Sequence, residues 1–172
     1  MDDFRQRVNS DLVGKVVNIA SRTAGFIKKQ FDLRLADQLD QANLYEQFMD
    51  QHDTVAELFE ARKYSAAIRL IMHWADQANQ YIAEKEPWVA IKDENRLEEV
   101  HQVCTTGLNL FRVLMTWLAP VTPHTAKKAA DFLNTDLTQW QAAEKPLLNH
   151  TIKPFKPLLQ RIETDTLETI MQ

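Results

Sequence analysis

Apolar residues return every three or four positions along most of this chain, and little in the sequence offers another way to fold. Phe4, Val8, Leu12, Val16, Ile19 and Ala20 open the pattern, with Val13, Val17 and Ala24 beside them. Such spacing puts the apolar groups on one face of a helix, and that face needs a partner. It predicts one long helix from Asp2 or Asp3 to about Lys29, with Lys28 and Lys29 at the negative end of the helix dipole. Gly14 and Gly25 are weak spots in it, each costing about 1 kcal/mol against Ala. A glycine inside a long helix also often admits a close neighbour.

A connector with Leu33, Leu35 and Leu39 follows. A second helix is expected from near Asp40 through Tyr45, Phe48, Val55, Leu58 and Phe59, with a break near Asp50–Asp53 and Asp53 capping the second piece. Ser65 is the expected N-cap of a third helix on which Ile68, Ile71, Met72, Ala75, Ala78, Asn79 and Ile82 repeat at helical spacing, and Pro87 ends it. A fourth runs from about Glu94 to Leu118, where Pro120 stops it. Thr122 followed by Pro123 is a cap and first-turn proline for a fifth, to about Phe132. From Asn134 to Pro157 the prolines cluster around Trp140 and Phe155, which reads as an irregular strap. A short helix from Thr164 to about Met171 closes the chain.

The expectation is an all-α bundle of about five helices, one domain over 1–172, with 135–172 as strap and final helix packed on it. Three glycines in 172 residues leave little material for phosphate-binding loops or serial hairpins, and a single cysteine excludes an internal disulfide. No apolar run is long enough to span a membrane, and Met1 to Arg7 is too polar for a signal peptide. A soluble, cytoplasmic protein is expected.

Net charge of −4 argues at first against a polyanionic partner, but the charge is uneven. Residues 1–36 hold seven Lys and Arg against four Asp and Glu, whereas residues 37–64 hold two against seven. The first helix is thus a basic element in an acidic molecule.

No catalytic constellation emerges. His52, His73, His101, His124 and His150 are scattered without metal-ligand spacing, no serine sits in a nucleophile context, and Cys104 lies on an apolar helical face. Asn18 and Arg22, at i and i+4, share a face of the basic helix. An amide and a guanidinium there either read the edge of an unpaired base or simply bond to the bundle surface. Trp88, following Pro87 at a helix exit, is either a core residue or a stacking platform. Trp74 and Trp117 lie in apolar helical stripes, and Trp140 in the strap, all suiting packing. Lys15, Lys28 and Lys29 add positive charge to the first helix.

The segments FRQRVNSDLVGKVVNIASRTAGFI, NQYIAEKEPWVA, LNLFRVLMTWLAPVTP and PLLQRIE follow in an order and spacing that resemble the C-terminal anticodon-binding domain of bacterial methionyl-tRNA synthetase, a class I enzyme. The resemblance runs along essentially the whole chain. LAPVTP is shared in looser form by the valyl, isoleucyl and leucyl enzymes, while VVNIASR together with NQYIAEKEPW is characteristic of the methionyl one. That family often has Phe where Leu159 stands.

The resemblance implies that Asn18 and Arg22 contact an anticodon and that Trp88 stacks on one of its bases, with Pro87 fixing the turn. The ligand implied is initiator and elongator tRNA with a CAU anticodon. The family's catalytic domain, which uses ATP and methionine and often carries a zinc-bearing insertion, has no counterpart in these residues, nor has its dimerisation module. The expectation is therefore a truncated or split piece of a ligase, inactive alone, monomeric, needing no cofactor itself and partnered by tRNA and the catalytic domain. Two other readings remain at this stage: the anticodon domain of another class I synthetase, or a helical protein-interaction module. The acidic stretch with Glu46, Asp50, Asp53 and Glu57 would suit the module, which should show a large exposed apolar patch.

Overall fold

One helix organises the molecule. In the computed structural model, which describes Gln6 and residues 8–159, every residue from Val103 to Leu118 is buried. A helix enclosed on all sides needs other helices around it, and the rest of the chain supplies them. In chain order these are a π-helical segment Val8–Val17 continuing into α1 (Asn18–Gln30), α2 (Ala42–Asp50), α3 (His52–Glu60), α4 (Tyr64–Lys85), one-turn α5 (Pro87–Ala90), the central α6 (Leu97–Leu118) and α7 (Pro123–Leu133). Short 3-10 turns at Glu94–Arg96 and Trp140–Glu144 complete the set, and there is no β-strand among the described residues. No helix of these residues is long and apolar enough to cross a membrane.

The all-α bundle is therefore as expected: residues 8–30, the broken pair α2–α3, α4, α6 and α7 make five helical bodies. Details differ. The first body is long, but Val8–Val17 winds as a π-helix rather than an α-helix. Its start and the expected last helix lie outside the described residues. The break between α2 and α3 falls at Gln51, so Asp53 sits in the first turn of α3 and not at its cap. α4 begins one residue before Ser65, after Lys63. Thr122 spends its hydroxyl on the Leu118 carbonyl, 3.0 Å away, rather than capping α7.

At Gly14 a Cβ would stand 3.2 Å from the Asn9 carbonyl oxygen of the same helical segment, while the close approach of neighbouring helices occurs elsewhere. Gly25 is exposed and nothing lies within 4 Å of where its Cβ would be. A Cβ on Gly107 of α6 would stand 3.1 Å from Thr23 Cγ2 of α1 and 3.3 Å from Ile82 Cδ1 of α4. Lack of a side chain there lets three helices meet.

The strap is tied down by polar groups of α6. Asn109 accepts from the Leu147 amide at 2.6 Å and donates to the Leu147 carbonyl at 3.0 Å. Arg112 donates to the carbonyls of Lys145 (2.7 Å) and Ala142 (2.6 Å), and Tyr45 donates to that of Ala143. Thr105 and Thr106 accept from the amides of Ala36 and Asp40. Buried backbone is costly unless paired, and this row satisfies segments too irregular to pair with themselves. Residues 33–36 also run antiparallel to 149–152, with Leu35 N–H to His150 O at 2.8 Å and Ile152 N–H to Leu33 O at 2.9 Å.

Candidate nucleic-acid interface

α1 and α5 bring two of the four expected residues, Arg22 and Trp88, into contact. Arg22, half-buried on α1, lays its guanidinium over the Trp88 ring, with Cζ 4.5 Å from the ring centroid. That is within the range of a cation–π contact. The indole itself is 36% exposed, so part of it remains open to solvent. Asn18 lies one helical turn before Arg22, as the i, i+4 spacing requires.

Local backbone chemistry explains why Trp88 stands there. Pro87 excludes right-handed helical geometry from the residue before it, and Glu86 adopts φ 44°, ψ 55°. The chain leaves α4 through this left-handed residue and restarts as α5 with Pro87 at its first position. Pro87 is buried and anchors the corner, while Trp88 and Val89 face outward. Trp88 is therefore neither a core residue nor loose at a helix exit.

Asn18 is held by the neighbouring helix. Asn79 of α4 donates both amide hydrogens to backbone, at 3.0 Å to Lys15 O and 2.9 Å to Ala75 O. Its carbonyl oxygen is then left for the Asn18 amide, 3.5 Å away. This turns the NH2 of Asn18 toward α4. Asn18 also borders a cavity of about 360 Å³ between the first helix and the strap, together with Gly14, Val17, Ser21, Phe155 and Pro157. The sequence places Asn79 in the repeating stripe of this helix without giving it a role of its own. Its signal was a polar residue recurring within the apolar stripe of α4.

Lys15 does not add free positive charge, because Asp76 pairs with it at 3.0 Å. Lys28 and Lys29 are exposed at the end of α1. Trp74, Trp117 and Trp140 pack inward as expected: Phe48 touches both Trp74 and Trp117, and His52 touches Trp140. Cys104 is core, and burial pushes its thiol up to about 12. Among the described residues no three His, Cys, Asp or Glu gather as a metal ion would require. Exposed large hydrophobics among them are Tyr64, Trp88, Val89, Val121 and Leu148, of which only Trp88 and Val89 are consecutive.

The fold and this surface define an α-helical bundle presenting an indole with a guanidinium laid over it, one helical turn from an amide held by the next helix. Residues 30–166 match the family described as the anticodon binding domain of methionyl tRNA ligase, and the chain belongs to that family. The matched span includes Pro87 and Trp88 and begins beyond Asn18 and Arg22. Solved structures agree on the fold. The apo form of Mycobacterium tuberculosis methionyl-tRNA synthetase superposes with a TM-score of 0.81 at 22% identity, over 92% of this chain and 34% of that one. The same enzyme in complex with methionyl-adenylate gives 0.77 at 24% identity, over 88% and 31%. The chain thus spans about a third of the length of these proteins.

Proposed function

We propose that this domain reads the CAU anticodon of initiator and elongator methionine tRNAs for a ligase whose catalytic domain joins methionine to tRNA with ATP. The observation that carries the reading is the Arg22 guanidinium resting on a half-open Trp88 ring, one turn from Asn18. An unpaired base stacks on the exposed part of the indole, largely without regard to its identity. Arg22, already oriented by the ring, and Asn18, oriented by Asn79, present donors and acceptors to base edges. A wrong base leaves those polar groups unpaired. Pro87 fixes the corner from which Trp88 projects. ATP, methionine and any zinc belong to the catalytic domain; the domain itself acts as a cytoplasmic, monomeric binding unit without cofactor or ligase activity.

Titration of stem-loops carrying CAU or altered anticodons tests this. Wild type should prefer CAU. Trp88→Ala should weaken all loops by about 1–3 kcal/mol, and Arg22→Ala should narrow the gap between CAU and altered loops by a similar amount. Because Trp88 orients Arg22, the double variant should lose less than the two singles together. Equal affinity of every loop for every variant would sink the assignment.

A further inference from the structure

A second basic feature lies on the other side of the strap. One face of α7 carries His124, Lys127, Lys128 and Asp131, at spacings of three and four, and all four are exposed. Opposite them the strap presents Lys153 and Lys156. Between the two elements is a groove of about 640 Å³ floored by Phe132, Pro154 and Leu158. Four lysines face a single carboxylate, Asp131, which Lys153 engages at 2.6 Å. Lys128 reaches the Leu158 carbonyl at 3.4 Å. Among the described residues Lys127 and Lys156 make no hydrogen bond or close ion pair, although Lys156 is near enough to Asp131 to help Lys153 hold its carboxyl below the usual range. The groove therefore keeps surplus positive charge in a molecule whose residues 37–100 carry six Lys and Arg against fourteen Asp and Glu.

Its lining also says what kind of anion fits. The polar groups are ammonium heads, an imidazole and one carboxylate; no amide or hydroxyl side chain offers the paired donor and acceptor that reads a base edge. Lysine acts as a mobile point charge, suited to phosphate oxygens and indifferent to sequence. The groove backs onto the cavity beside Asn18 across the strap. Pro157 lines both this groove and the cavity beside Asn18, while Phe155 and Leu159 face the cavity and Lys156 and Leu158 the groove. One thickness of chain separates them.

We infer that the α7–strap groove holds the phosphodiester backbone of the same RNA whose loop is read at Asn18, Arg22 and Trp88, with Lys127 and Lys156, which no hydrogen bond to a described residue engages, as its principal cations. This rests on the RNA-reading function proposed above. Backbone contact adds affinity and salt dependence but no choice of sequence.

The test compares the full 172-residue chain with its double variant Lys127→Ala/Lys156→Ala and with Lys127→Arg/Lys156→Arg, using a full-length tRNA transcript at several salt concentrations. The alanine pair should bind several-fold more weakly and lower the slope of log affinity against log salt by about 1 per lysine removed. Its preference for CAU over altered anticodons should stay at the wild-type ratio, and the arginine pair should behave as wild type. Identical affinity and slope for wild type and the alanine pair would overturn the inference while leaving the anticodon reading intact, if wild type still prefers CAU. Loss of CAU preference in the alanine pair would also overturn it. Retained RNA binding with lost binding to a polyglutamate probe would assign the groove to an acidic polypeptide instead. Wild type failing to bind any tRNA would remove both readings.

Discussion

At His52 one ring proton serves two partners, the buried Trp117 and the half-buried Trp140. The Trp117 indole N–H donates to Nδ1 at 2.9 Å, so the other ring nitrogen carries the hydrogen and donates to the Trp140 carbonyl at 3.0 Å. The imidazole is neutral in this arrangement, and burial holds its pKa below the ordinary value of 6.5 despite the opposing pull of the Trp140 carbonyl, Asp53 and Glu144. A second proton would have to sit on Nδ1, facing the indole N–H. The unfolded chain takes up that proton more readily than the folded one, so the stability from a neutral His52 is present above about pH 6.5 and is lost as pH falls below it. Thermal unfolding should show a midpoint that drops between about pH 7 and pH 5.5, ahead of carboxylate titration. His52→Gln should flatten the profile over that interval; an unchanged slope would mean that another group governs it.

Among the elements, α1 and α6 show how differently two helical glycines are used. Gly25 has open space around it, so Gly25→Ala should stabilise the protein by about 1 kcal/mol through helix propensity alone. Gly107→Ala gains the same propensity but drives a methyl into Thr23 and Ile82. Both are fully buried, and the Thr23 hydroxyl is held 2.8 Å from the Ile19 carbonyl. Overpacking of this kind costs about 1–3 kcal/mol, so the net effect should be a loss of about 1 kcal/mol. Chemical denaturation of the two variants checks both signs. This contrast also marks how much was legible beforehand. Periodicity located the five helical bodies, because it depends only on which face each must bury. It pointed to the glycines of the first helix as points of close approach, because the identity of the neighbour across the contact is not local information. In the same way the i, i+4 pair Asn18 and Arg22 was readable, and the Pro87–Trp88 corner was suggestive. That Arg22 would lie on Trp88 needed the left-handed turn at Glu86, and Asn79 behind Asn18 needed the packing of α4 on the first helix.

For the molecule as a whole, the strap depends on a charged group inside the core. Arg112 is 3% exposed, has two strap carbonyls as acceptors and lies close to Tyr45, whose hydroxyl burial pushes up to about 12. In sequence it was one arginine in an apolar helical run, with nothing to show that its partners lay 30 and 33 residues away. Arg112→Met keeps the bulk and removes both hydrogen bonds. It should cost about 3 kcal/mol, since bonds to charged donors are worth about 1.5–3 kcal/mol each. A loss below about 1 kcal/mol in urea unfolding would mean that the strap is held by its other contacts. Those include the ribbon between residues 33–36 and 149–152, where Arg34 lies against Asn149 across 115 residues of chain. Closing so long a loop is expensive once but insensitive to its exact length, since doubling it adds only about 0.6 kcal/mol. The ribbon therefore permits the helices between its two segments to be lengthened or joined by longer turns at little cost in closure. Tolerance to insertion in this domain is set by the packing around α6, and the turn between α3 and α4, where Ala61, Arg62 and Lys63 are exposed, is where extra residues would be absorbed most easily.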